Sequence, residues 1–142
     1  MLTIDASEAI AALSLIAARA SDMRPLMDEI GELQVIAVRE RLMNSKTTPW
    51  GADWSPWQPV TEIERTKKGN AGQGLLWDTG TLLNSIRFEA SPLGVEIGTD
   101  IDYAVDLQNG TLSMPGRDFL GWSPDFYPTA ERLALIYLET GR

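Results

Sequence analysis

Asp100, Asp102 and Asp106 are the residues of this chain whose type and spacing come closest to chemistry. Three carboxylates on one loop could converge on a hard cation such as calcium or magnesium. The calcium-loop pattern fails, because Tyr103 and Ala104 occupy its polar and turn positions and the distal Glu is missing. A solvated acidic loop is the expectation, with no metal. Lys67 and Lys68 beside Gly69, Gly72 and Gly74 suggest a phosphate loop, but the Walker spacing is absent and no Lys-Ser or Lys-Thr follows. Ser123 lacks the second glycine of a nucleophile elbow. The chain has no histidine to activate it and no cysteine to replace it. Paired carboxylates among twenty acidic residues would be the remaining route, as in a wall-degrading glycosidase, yet no pair stands out. No catalytic residue, cofactor or metal is therefore assigned.

Binding chemistry is better represented. Trp50, Trp54 and Trp57 fall within nine residues that begin at Pro49. Exposed tryptophans stack on sugars or anchor protein interfaces, whereas inward ones fold their loop back onto the domain. At least one is expected to be buried and at least one to meet a partner. A glycan-binding module is the alternative that these tryptophans leave open. Arg117, between Gly116 and Asp118 and just before Phe119, is the outstanding single charge. It suits a bidentate pair across an interface, or a local salt bridge to Asp118 or Asp102. Trp50, Trp54, Trp57, Arg117 and Phe119 are the candidate contact residues.

The elements that must position them follow from periodicity. Asp5 and Glu8 read as a capping box, ahead of Ile10, Leu13, Ala17 and Ala20 at helical spacing, with Leu15 and Ile16 widening the stripe. A helix over about residues 6–20 is predicted. Asp22 caps a second, with Pro25 in its first turn and Leu26, Ile30, Leu33 and Ala37 on one face, to about Met43. The two helices either form an αα-hairpin or pack separately on a sheet. From Asn44 to Gly74 the chain has three Pro, four Gly and three Trp and no sustained period, which predicts a long loop, mobile at its glycine-rich end. Thr79 and Gly80 read as a turn. Ile86, Phe88 and Ala90 alternate with polar residues, Pro92 to Gly94 turns, and Val95 and Ile97 return, which is a hairpin. Asn109-Gly110 marks another turn. Ser123-Pro124 opens a last helix, its regular part delayed by Pro128, with Ala130, Leu133, Ala134 and Tyr137 inward and Gly141 at its end. The predicted fold is α+β: one domain over residues 1–142, a small antiparallel sheet covered by two N-terminal helices and a C-terminal helix, with a long Trp/Gly-rich loop.

Composition narrows the partners. At 142 residues and 44% hydrophobic content, one core forms without staples. The net charge of −8 is uneven, with four basic against ten acidic side chains over residues 75–142. That surface repels phosphates, so nucleic-acid binding is not expected, whereas a basic protein partner suits it. The apolar run from Ala9 to Ala18 follows Asp5 and Glu8 rather than a basic region, so no signal peptide is read. No stretch is long enough to span a bilayer. A soluble chain, intracellular when made, is the expectation.

The order of the motifs carries a resemblance. Pro49, Gly51 and Trp54 (or Trp57) are followed by Leu76, Thr79, Gly80, Leu82, Ser85 and Ile86. Tyr103, Ala104, Gln108 and Gly110 come next, then Pro115, Arg117, Phe119, Leu120 and Gly121. This succession, between two N-terminal helices and a C-terminal one, resembles the virion-morphogenesis, or tail-completion, family of tailed bacteriophages. Leu107 stands where that family often has His, and Met114 and Gly116 replace Ile and Ala. The resemblance implies a structural, non-enzymatic protein of the phage neck or tail end that joins heads to tails. Its partners would be other neck and tail proteins and further copies of itself in a ring. It would act in the host bacterial cytoplasm and then reside in the virion.

Overall fold

The computed structural model describes Thr3 and residues 5–142. Helix α1 spans Ser7–Ser21 and α2 spans Arg24–Glu40. Asp5 does act at the start of α1, its Oδ1 accepting the Ser7 amide at 2.9 Å. The reciprocal bond that a capping box requires of Glu8 does not occur among the described residues. Asp22 plays the same part for α2, accepting the Arg24 amide at 3.1 Å. Pro25 sits in the first turn, where its missing N–H costs no hydrogen bond.

The inward face of α2 is rotated from the one expected. Leu26, Ile30, Gly31, Gln34, Val35 and Val38 are buried, while Leu33 is exposed and Ala37 half-buried. A five-residue π-turn, Arg41–Ser45, follows directly and closes with Lys46 in the left-handed region. Arg41 and Leu42, three and four residues beyond Val38, continue its inward face and are buried.

Strands β1, Arg87–Ser91, and β2, Gly94–Gly98, form the antiparallel hairpin, with Phe88 opposite Ile97 and Ala90 opposite Val95. Helix α2 lies across both strands. Arg24 and Arg39 tie it to the sheet by donating to the carbonyls of Ala90 and Ile86, at 3.1 and 3.0 Å. At Gly31 the helix passes close over the sheet: a Cβ there would stand 2.2 Å from Cδ2 of Phe88. The ring would have to move as a whole, so Gly31→Ala is expected to lose about 1–2 kcal/mol, the overpacking outweighing alanine's helix propensity. A urea titration against the parent chain checks this.

Helix α3, Pro59–Lys68, occupies the middle of the segment expected to be loop. It buries none of its residues, so its sequence carries little apolar periodicity. A short 3₁₀ turn at Ala71–Gln73 precedes α4, Thr81–Ser85, which starts at Gly80 with φ of 83°. Helix α5, Ala104–Asn109, was not expected from the sequence; it ends at the expected Asn109-Gly110 turn, where Gly110 again has positive φ. Helix α6, Phe126–Thr140, begins after a turn at 124–125 in which the Phe126 amide bonds to the Ser123 carbonyl, so its regular part starts late, as expected, with Pro128 as its third residue. Gly141 ends α6 in the left-handed region, and Tyr137 is its buried residue.

The architecture is α+β, but α1 does not cover the sheet. It contacts α6 and has no buried residue. The core has two parts. Val35, Val38, Leu42, Trp54, Leu82, Ile86, Ala104 and Phe119 make the larger. Leu26, Ile30 and Tyr137 make the smaller, with Val95, Trp122 and Phe126 against it. No helix is long and apolar enough to cross a membrane among the described residues.

Candidate functional site

The motifs that are scattered along the chain meet at one place, on the side of the larger core opened by two loops. The first loop follows the π-turn. Bonds from the Thr48 amide to the Ala52 carbonyl (2.8 Å) and from the Trp54 amide to the Lys46 carbonyl (3.1 Å) close it, with Gly51 at positive φ. Trp50 stands at the tip and is 65% exposed. Trp54 points inward, and its indole Nε1 donates to the Asp118 carbonyl at 2.8 Å. Trp57 is half-buried, with the Arg65 guanidinium 4.8 Å over its ring.

The second loop, Thr111 to Gly121, is gripped from three sides. Gln108 uses its whole amide: Oε1 accepts the Phe119 and Leu120 amides, both at 3.0 Å, and Nε2 donates to the Leu120 carbonyl at 3.1 Å. Arg41 donates to the Phe119 carbonyl at 2.7 Å. Arg117 then ties this loop to the first, donating from Nε to the Ser55 carbonyl (2.8 Å) and from Nη2 to that of Pro56 (3.0 Å). Gly116 passes so close to α5 that a Cβ would lie 2.8 Å from the Asn109 carbonyl carbon. The glycine, where the resembled pattern has alanine, permits that approach.

These positions revise the expected contacts. Trp54 and Arg117 are each only 5% exposed and Phe119 is 0% exposed. As folded they present almost no surface to a partner. Among the described residues Arg117 makes no salt bridge to Asp118 or Asp102. It holds main-chain carbonyls, as a buried arginine must to offset its desolvation. Trp50 is the candidate that faces outward, with Trp57 partly accessible. The three tryptophans do not form a shared platform.

A cleft of about 690 Å³ opens beside the clamp, between α3, the Leu76–Leu82 segment and α5. Trp57, Leu76, Tyr103, Leu107 and Met114 contribute its walls, and Arg65 and Arg117 are its cations. Burial, reinforced by the nearby Arg65, pushes the Arg117 pKa down from its ordinary value. Burial does the same to Arg41 and Lys46, with Arg65 adding to the effect at Lys46. The arginines stay charged all the same. Leu76 adopts φ of 57°, which is strained for a branched side chain. Among the described residues Asp78 is the sole carboxylate lining the cleft, 3.9 Å from Arg65. A carboxylate pair of the kind used in glycoside hydrolysis is therefore not assembled there.

Elsewhere, Asp100 pairs with Arg87 instead of joining Asp102 and Asp106. Among the described residues, no three acidic side chains gather as a metal site would require. Sequence reading missed Arg41 as a clamp residue, although the α2 period was a usable signal: three residues beyond Val38 lies the inward face. Arg65 carried no such signal, because the helix that holds it has no buried stripe.

No curated protein and no solved structure matches the chain. The model of the phage virion morphogenesis family matches residues 4–135, a span that contains both loops, the clamp and the hairpin. The chain belongs to that family, and its role is in building the phage particle.

Proposed function

We propose that this protein completes the phage tail and joins it to the filled head, by non-covalent assembly with neck and tail proteins and as a ring of its own copies. It acts in the host cytoplasm and stays in the neck of the virion. The observation that carries the reading is the clamp itself. Three buried side chains, Arg41, Trp54 and Arg117, and the half-buried Gln108 are spent on pinning two loops, and the pinned first loop holds Trp50 out in solvent. A rigid loop with an exposed aromatic tip suits recognition, because little ordering entropy is lost on contact.

The test is electron microscopy of particles from a phage that lacks this gene. Filled heads beside separate full-length tails are expected, and normally joined particles would overturn the reading. Complementation with Trp50→Ala is expected to lower the yield of joined particles at least tenfold, since a central interfacial tryptophan contributes about 2 kcal/mol or more. Its melting temperature should match the parent, because the side chain is already exposed.

A further inference from the structure

The cleft beside the clamp reverses the sign of the surface around it. The chain carries −8 overall, yet the charged groups lining the cleft, among the described residues, are Arg65, Arg117 and Asp78. Burial first and Arg65 second hold the Lys46 pKa below its ordinary value, so a third cation stands close by. Asp78 answers these cations poorly. Its side chain is 54% exposed and 3.9 Å from Arg65, and it also accepts a hydrogen bond from Asn70. Neither guanidinium is used up. Arg117 spends Nε and Nη2 on the Ser55 and Pro56 carbonyls, whereas its Nη1 has no acceptor among the described residues and is not enclosed. A side chain only 5% exposed thus keeps one donor for the cleft it lines. Arg65 donates from Nη1 to the Trp77 carbonyl, which leaves Nε and Nη2 without acceptors among the described residues.

We infer that this cleft binds an acidic peptide segment of a partner protein, which sets a carboxylate on Arg65 and Arg117 and its neighbouring apolar side chains against Trp57, Leu76, Leu107 and Met114. The inference takes from the assembly reading above only that the protein meets other proteins. Charge, size and wall chemistry select the occupant. Partly desolvated like charges without a matching anion are unfavourable, and a carboxylate fits the planar donor fork of a guanidinium. At about 690 Å³ the cleft has the size of a pocket that encloses a small ligand, about 300–1,000 Å³, so the occupant enters as a short segment. A phosphate-rich strand would leave the apolar walls unused and would meet surplus acid outside the cleft. The chain's own aromatics beside an acid are already engaged. Trp54 and Phe119 are buried, Phe88 and Phe126 pack against the two cores, and the pairs at Asp78 and Tyr103 border the cleft themselves. A partner rather than a second copy therefore supplies the segment.

An NMR titration of the isotope-labelled full chain with the blocked tripeptide acetyl-Phe-Glu-Phe-amide tests this. The Nε–H signals of Arg65 and Arg117 are expected to shift. Acetyl-Phe-Gln-Phe-amide is expected to bind at least about tenfold more weakly, because it removes one charge of a charge-assisted pair. Thr61 lines the cleft one helical turn before Arg65 on α3. Thr61→Glu therefore gains a favourable pair with Arg65 and fills the place of the anion. It is expected to melt no lower than the parent and to lose the tripeptide by at least about tenfold. Equal affinity for the two tripeptides overturns the role of the arginines. Signals of Arg65 and Arg117 that do not move at millimolar tripeptide overturn the cleft. Inorganic phosphate or oligothymidylate binding there more tightly than the tripeptide overturns the peptide. Self-association of the parent chain that Thr61→Glu abolishes puts a second copy in the cleft and overturns the partner. Head–tail joining is decided separately, by the gene-deletion micrographs.

Discussion

Arg117→Glu is expected to cost about 3–5 kcal/mol, the range for breaking a buried, hydrogen-bonded charge. The arginine is 5% exposed and serves the carbonyls of Ser55 and Pro56 together. A carboxylate only accepts hydrogen bonds, so the variant would leave both carbonyls unpaired and set a like-signed group against them. Against a total stability of about 5–15 kcal/mol, such a loss unfolds a large fraction of molecules. Arg117→Lys is expected to fall between, since one ammonium cannot reproduce a planar fork that spans two carbonyls. Urea denaturation followed by tryptophan fluorescence measures both. An Arg117→Glu chain as stable as its parent would return Arg117 to the surface-contact role that its position in an acidic half suggests.

Phe119→Ala is expected to lose about 3–5 kcal/mol, in the upper part of that range. The ring is the largest side chain with no exposure at all, packed in the cluster that includes Leu42, Trp54, Leu82 and Ile86. What raises the cost is the backbone. The Phe119 amide is held by Gln108 and its carbonyl by Arg41, so the loop cannot sink into the space the ring vacates. Cavities that fail to collapse are the expensive ones. Phe119→Leu, which keeps much of the volume, is expected to cost about half as much. Equal midpoints in urea for Phe119→Ala and the parent would contradict this account.

The hairpin, α2 and α6 were legible because each has a period that its burial enforces. Phe88 and Ala90 must face one way in a strand, and Ala130, Leu133, Ala134 and Tyr137 must share a helix face. Helix α3 was not legible, since Val60 and Ile63 are its only aliphatic residues other than Pro59 and neither is buried; Arg65 bonds to the Trp77 carbonyl at 2.9 Å. Helix α5, with six residues, is too short to show one. Gly80 and Gly110 were readable as turns, because positive φ selects glycine locally.

By itself, then, the sequence determined the α+β class, the hairpin, the extent of α1 and α2, the inward face of α6, and the family, through the order of its motifs. It also determined that histidine and cysteine chemistry are absent. The direction of each side chain in the two loops was decided only by the tertiary structure. Periodicity assigns a face to residues in helices and strands, but a loop residue points wherever distant carbonyls and cavities satisfy it. Arg117 answers to Ser55 and Pro56, and Trp54 to Asp118, across some sixty residues of chain. The same separation of scales explains α1. Its apolar stripe called for a cover, and only the folded chain showed that α1 is left without one.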